Sequence, residues 1–191
     1  IVEQLYLGTR TAVYRAVQTA QQRPVVIKVL RHDYPSFGEL VQFRNQYTIA
    51  KNLSIPGIVQ PLSLEPLGNG YALVMENCGG VALGTYIQQQ PLDLIDVLTI
   101  ALQLADILHD LSRHQVVHKD IKPANILIHP ESKHIKLIDF SAASLLSKET
   151  PEIQSPKVLE GTLAYVAPEQ TGRMNRGIDY RADFYALGVT L

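Results

Sequence analysis

The stretch His118-Lys119-Asp120-Ile121-Lys122-Pro123-Ala124-Asn125, followed later by Asp139-Phe140-Ser141, decides how this chain is read. Taken alone, one His-x-Asp with an asparagine nearby is ordinary loop composition and carries no chemistry. Order and spacing change that. Upstream, Val25-Val26-Ile27-Lys28 ends an apolar strand pattern in a lysine, and a helical pattern comes next. By itself such a lysine is a solvated strand end. Downstream lie Gly161-Thr162-Leu163-Ala164-Tyr165-Val166-Ala167-Pro168-Glu169 and Asp183-Phe184-Tyr185-Ala186-Leu187-Gly188-Val189. Separate runs arriving in one fixed order make coincidence a poor explanation for any of them.

Working outward, 191 residues leave room for one domain with a sizeable core, since domains usually run about 100 to 200 residues. The 17 Lys and Arg against 18 Asp and Glu leave a formal charge of -1, so bulk electrostatics recruits neither nucleic acid nor an anionic membrane. Any positive site is local. The single cysteine, Cys78, cannot form an internal disulfide, which suits a reducing cytosol. With no zinc-like spacing around it, a reactive-thiol role is the weaker reading of that residue. The longest apolar tract, residues 94–111, carries Asp96, Asp106, His109 and Asp110, which argues for a core helix and against a membrane span. No secretory signal is visible, and the sequence reads as cytoplasmic.

Residues 2–7, 12–18 and 24–30 read as three strands of a meander. A helix is expected over 37–53, from apolar residues at Leu40, Phe43, Tyr47 and Ile49 or Ala50, ended by Pro56-Gly57. Strands are expected at 58–64 and 71–75, joined by the turn Pro66-Leu67-Gly68-Asn69-Gly70. After Cys78-Gly79-Gly80 the pattern turns to long helical periodicity, with Asp93 a candidate N-cap for a helix reaching about His114. Short strands follow, Val116-Val117 with 126–128, and 135–138. Nothing repeats internally, and Gln88-Gln89-Gln90 reads as a solvated helix end.

The motifs resemble those of the eukaryotic-type (Hanks-type) serine/threonine protein kinases, whose catalytic loop reads H-R-D-x-K-P-x-N and whose metal motif reads D-F-G. The resemblance spans the whole chain. It implies an α+β, protein kinase-like two-lobe fold: a small β-rich lobe over 1–77 with one helix, a hinge at 76–80, and a mostly helical lobe over 81–191 that lacks its last helices. It also implies ATP and Mg2+ as cofactors and a protein hydroxyl as acceptor. Phosphoryl transfer asks little covalent chemistry of the protein, so such a site must orient the acceptor, neutralise charge and hold magnesium. By resemblance, Asp120 takes the hydroxyl proton and Lys122, typical of the serine/threonine class, points to the γ-phosphate. Asn125 and Asp139 offer a neutral and an anionic oxygen to a hard cation. Lys28 pairs with the α- and β-phosphates. Met75 becomes the gatekeeper, the Glu76 carbonyl and Cys78 backbone face the adenine edge, and Leu5, Val13, Val26 and Leu127 sandwich the ring. The segment ending at Glu169 docks protein substrate, with Thr162 bonding near Asp120 and Lys122. Asp183 is structural, holding the catalytic-loop backbone from a buried helix, since a buried carboxylate needs such partners.

Several positions depart from that pattern. Tyr6, Gly8 and Thr11 stand where three phosphate-loop glycines are expected, so only Gly8 remains, and phosphate contact through the Thr9 or Thr11 hydroxyls becomes an alternative. Gln46 stands where the helix glutamate normally meets Lys28, and a neutral amide lacks the charge that strengthens such a bond about twofold. Glu39, about two turns earlier, is a weak substitute. Ser141 replaces the D-F-G glycine and restricts the backbone after Asp139. Lys119 replaces the arginine that receives an activation-loop phosphate, and lysine lacks the planar fork for it. Ser144, Ser147, Thr150, Ser155 and Thr162 are hydroxyls where a phosphate would add charge. The sequence stops inside the helix of Asp183, and the apolar residues Tyr185, Leu187, Val189 and Leu191 are expected to lack cover and to favour aggregation.

Tyr6-Leu7-Gly8-Thr9-Arg10-Thr11 and Thr171-Gly172-Arg173-Met174-Asn175-Arg176 are similar to one bacterial group, in which the kinase is the N-terminal domain of large sensors continuing with ATPase-like, GAF and histidine kinase modules. That resemblance implies autophosphorylation, a protein partner and further domains of the same polypeptide. Two other readings stay open. A pseudokinase acting as a nucleotide-binding or allosteric module is favoured by Gln46 and the depleted glycine loop, and opposed by Lys28, Asp120, Lys122, Asn125 and Asp139. A small-molecule phosphotransferase sharing the lobes is opposed by Lys122 and the run from Gly161 to Glu169.

Overall fold

The β-branched run Val25-Val26-Ile27 with Val29 favours a pleated, half-buried surface. The computed structural model describes residues 1–146, 163–171 and 177–191. They form two units, one of residues 1–54 with 59–79 and the other of 55–58 with 80–191. In the first, β1 (Glu3–Leu7), β2 (Thr11–Gln18), β3 (Arg23–Leu30), β4 (Pro61–Leu67) and β5 (Gly70–Glu76) make an antiparallel sheet of order β1-β2-β3-β5-β4. The register sets Val13 opposite Lys28, and on the other side of β3 sets Lys28 opposite Leu73 and Val26 opposite Met75. Gln4 pairs with Tyr14 and Tyr6 with Val13, so Leu5 is the extra residue of a β-bulge.

One helix, α1 (Phe37–Ala50), completes this unit. A capping box starts it: the Ser36 hydroxyl accepts from the Glu39 amide at 3.3 Å, while the Glu39 carboxylate accepts from the Ser36 amide at 2.8 Å. Glu39 is therefore committed to the helix start and is no stand-in partner for Lys28. The buried face carries Phe43, Gln46, Ile49 and Ala50, at helical spacing. The helix stops three residues short of the expected end.

β4 starts at Pro61, not at residue 58, because Ile58 bridges Leu137 and the Gly57 carbonyl accepts from the Leu137 amide at 2.8 Å. Only glycine fits at 57, where a Cβ would stand 2.1 Å from the Ile107 side chain. The β4–β5 turn shrinks to Gly68-Asn69, with Gly68 at φ 56; a type II′ hairpin needs glycine at that first central position.

The second unit adds β6 (Val81–Ala82), α2 (Leu83–Gln89), α3 (Leu94–Arg113), β7 (Val116–Val117), β8 (Ile126–Ile128), β9 (Ile135–Leu137), β10 (Ser144–Leu145) and α4 (Arg181–Thr190). Asp93 caps α3 by accepting from the Asp96 amide at 2.7 Å. That helix buries Ile100, Leu104, Ile107, Leu108 and Leu111, each contributing about 1.5–3 kcal/mol relative to exposure. β6 had no sequence expectation of its own, while α2 ends at the glutamine run read as a helix end. Contrary to expectation, β7 pairs with β10, while β8 lies between β6 and β9. On α4, Ala182, Asp183, Ala186 and Leu187 face inward, so Leu187 shares the buried face of Asp183 rather than the exposed one of Tyr185, Val189 and Leu191. Among the described residues no helix is long and apolar enough to cross a membrane.

Candidate active site

The loop between β7 and β8 carries Lys119, Asp120 and Lys122. Asp120 presents a carboxylate to Lys122 Nζ at 2.9 and 2.8 Å and to the Asn125 amide nitrogen at 2.7 Å. That nitrogen also donates to the Asp120 carbonyl at 2.9 Å, which turns the Asn125 amide oxygen, the atom that can ligate a cation, the other way. The Ile138 amide donates to the Asn125 carbonyl at 3.0 Å, so Asp139 directly follows the residue that Asn125 anchors. Asp139 sits at φ 65 and Lys119 at φ 69, left-handed conformations that cost a non-glycine residue about 1–3 kcal/mol and cluster at functional sites. Asp139 Oδ1 also accepts from the Ser141 amide, at 3.4 Å.

Buried groups hold this loop. Asp183, 3% exposed, accepts from the His118 amide at 2.7 Å and from the Lys119 amide at 2.8 Å. Burial pushes its carboxyl above the ordinary range, opposed by His118 and by those two N–H bonds. The fully buried His118 ring accepts from the Asp120 amide at Nδ1 (3.3 Å), which leaves Nε2 as the donor to the Ile138 carbonyl at 3.1 Å. Phe140 packs edge-on against it at 4.7 Å.

In the first unit Lys28 is 8% exposed, and its ammonium donates to the Gln46 amide oxygen at 2.9 Å with the Phe43 ring 5.9 Å away. Val13 and Val26 flank it, half-buried, on β2 and β3. Met75 is buried, Leu5 is exposed at its bulge, and Cys78 is a half-buried free thiol. The Glu76 amide donates to the Gln60 carbonyl, and its carboxylate accepts from the Gln60 amide, each at 3.0 Å. At the β1–β2 turn the Gly8 amide donates to the Thr11 carbonyl at 2.9 Å, and the Arg31 guanidinium donates to the Gly8 carbonyl at 2.5 Å. A Cβ on Gly8 would stand 2.5 Å from the Tyr6 hydroxyl, so the Tyr6 ring lies over the remaining glycine.

The sequence profile of the protein kinase domain family matches residues 1–191. This chain belongs to the protein kinase family. Among the similar curated proteins, the serine/threonine-protein kinase PrkC of Bacillus subtilis is 36% identical over 96% of this kinase chain and 28% of its own length. Serine/threonine-protein kinase Pkn1 of Myxococcus xanthus is 32% identical over 99% of the chain and 27% of its own length. For serine/threonine-protein kinase PknB of Mycolicibacterium smegmatis the figures are 31%, 99% and 31%. The kinase chain thus spans roughly a third or less of these relatives.

Within the kinase fold the structure joins Asp120 to Lys122 and Asn125 by hydrogen bonds and ties Asp183 to the His118 and Lys119 amides of the same loop. It sets Asp139 directly after Ile138, whose amide bonds the Asn125 carbonyl, and joins Lys28 to Gln46 separately. Leu127, on β8, pairs with Ala82 and is half-buried. Glu169 lies in the 3-10 turn Pro168–Thr171. Thr162, Ser147, Thr150, Ser155 and the run 172–176 lie outside the described residues. Sequence reading overlooked Gln170, whose amide oxygen accepts from the Ala167 amide at 3.0 Å while its nitrogen donates to the Lys119 carbonyl at 2.9 Å. Its position straight after Ala-Pro-Glu was the available signal. Among the described residues no three His, Cys, Asp or Glu side chains form a metal cage. One carboxylate and one amide oxygen nevertheless fit magnesium, which commonly uses one or two carboxylates and completes its shell with phosphate and water.

Proposed function

We propose that this kinase transfers the γ-phosphate of ATP to serine or threonine hydroxyls of a protein, its own chain included. The observation that carries this reading is the half-exposed Asp120 carboxylate gathered between Lys122 and Asn125. Asp120 orients the acceptor hydroxyl and takes its proton. Lys122, its ammonium held by the Asp120 carboxylate, neutralises charge developing on the transferred group. Asn125 and Asp139 would hold Mg2+, which when bound offsets phosphate charge. Lys28 would hold the α- and β-phosphates, with Gln46 fixing its ammonium. Leu5, Gly8, Val13, Val26, Met75, Glu76, Cys78 and Leu127 would receive the nucleotide, and the segment from Gly161 to Glu169, with Thr162, the protein substrate. The runs 6–11 and 171–176 support placement in a larger bacterial sensor with ATPase-like, GAF and histidine kinase modules, signalling in the cytoplasm alongside a two-component pathway.

Asp120→Asn in the full-length protein tests this. It keeps the hydrogen-bonding shape but removes the base, and radiolabel transfer from ATP to protein is expected to fall about 10²- to 10⁴-fold. Unchanged transfer would sink the catalytic reading. The Tyr6 ring over Gly8 and the neutral Gln46 favour a second reading, a pseudokinase module. It predicts nucleotide binding by equilibrium titration with no transfer from the unaltered protein.

A further inference from the structure

We infer that Gln170 is a positioning residue that ties the segment leading out of Ala-Pro-Glu to the peptide group carrying Asp120, an inference that rests on the kinase reading above. The peptide plane between Lys119 and Asp120 is held on both edges. Its carbonyl, that of Lys119, accepts from the Gln170 side-chain nitrogen at 2.9 Å. Its N–H, that of Asp120, donates to His118 Nδ1 at 3.3 Å. The preceding N–H, that of Lys119, is taken by Asp183 at 2.8 Å, and Lys119 itself sits in the left-handed region at φ 69. A strained residue persists only where its surroundings over-determine it, and among the described residues Gln170 supplies a restraint that comes from the docking segment.

The other end of the same amide fixes that segment. Gln170 Oε1 accepts from the amide of Ala167, a residue with no exposed surface, at 3.0 Å, and the turn closes as the Thr171 hydroxyl donates to the Pro168 carbonyl at 2.7 Å. Only a side chain that donates and accepts at once can bridge a carbonyl and an N–H in this way, which asparagine is too short to reach and glutamate cannot complete. Movement of the docking segment around Ala167 is thereby transmitted to the plane that aims the Asp120 carboxylate.

The two halves of the bridge can be separated in the full-length protein. Gln170→Glu keeps the acceptor for Ala167 and sets a carboxylate against the Lys119 carbonyl; Gln170→Met removes both bonds at similar volume. For both variants kcat toward a peptide substrate is expected to drop about two- to tenfold with KM for ATP unchanged, the size of one lost neutral hydrogen bond. Amide hydrogen exchange at Lys119 and Asp120 is expected to quicken in both. Should Gln170→Met fail to fold, Gln170→Glu decides alone. Unchanged exchange, or faster exchange with unchanged kcat, overturns the positioning role. If the unaltered protein transfers no phosphate at all, the kinase reading falls, and the exchange comparison by itself then upholds or overturns the bridge.

Discussion

A buried ammonium with a neutral partner is the sharpest departure at the residue scale. Lys28 donates to Gln46 inside the first unit, where both are less than a tenth exposed, and the Phe43 ring centre lies 5.9 Å from the charge. Exchanging the amide for a carboxylate makes the bond charge-assisted on both sides and about twice as strong, with little change in volume. Gln46→Glu is therefore expected to raise kcat/KM for ATP several-fold, read from initial rates over a nucleotide titration. Gln46→Met withdraws this acceptor from a buried cation and is expected to cost about 1.5–3 kcal/mol, read from the shift in a urea unfolding midpoint. An increase in activity with methionine would show that the amide restrains Lys28 rather than supporting it. Sequence position alone located Gln46; that it is buried, and that Glu39 is occupied elsewhere, needed the structure.

Among the elements, α1 carries Gln46, and its start depends on Ser36 and Glu39. The Ser36 amide and hydroxyl hold the Glu39 carboxyl below the usual carboxylate range, with His32, 3.3 Å away, a lesser contributor. A depressed folded-state pKa adds stability that is present above the unfolded value of about 4.3 and is lost as pH falls through the folded value. Ser36→Ala is expected to cost about 1 kcal/mol at pH 7, a loss of about 2–4 °C in a thermal melt. The same substitution should cost less once Glu39 is protonated; an equal penalty at pH 7 and pH 3 would argue against the reciprocal cap. Long elements were legible in the sequence: α3 shows apolar residues at helical spacing behind an Asp93 cap, and β2 and β3 are eight-residue strands rich in β-branched residues. Two-residue strands were not, because periodicity cannot be measured over Val116-Val117, and their pairing with Ser144-Leu145 is set by tertiary contacts. The start of β4 was misplaced for a similar reason, since Ile58 is apolar in either setting and only its bridge to Leu137 decides where it goes.

For the whole molecule the balance of charge decides how a nucleotide is held. A formal charge of -1 gives no long-range attraction for phosphate, so on the function proposed above affinity for ATP would come from local cations and from Mg2+, which Asn125 and Asp139 would hold. Binding of this kind is visible in stability. A ligand that binds only the folded chain stabilises it by RT ln(1 + [L]/Kd), about 2.7 kcal/mol at a hundredfold excess over Kd. For a protein of this size that corresponds to a rise of roughly 5–11 °C in the melting midpoint. The rise is expected with Mg2+ and ATP together and to be smaller with ATP and a chelator, because without the metal the phosphates meet the Asp139 carboxylate unscreened. Asp139→Asn relieves that repulsion and removes the anionic ligand, so in the variant the two conditions should converge. Equal shifts with and without Mg2+ in the unaltered protein would show that Asn125 and Asp139 do not hold the metal. The nucleotide would then rest on Lys28 and the β1–β2 turn alone, an arrangement suited to binding without transfer.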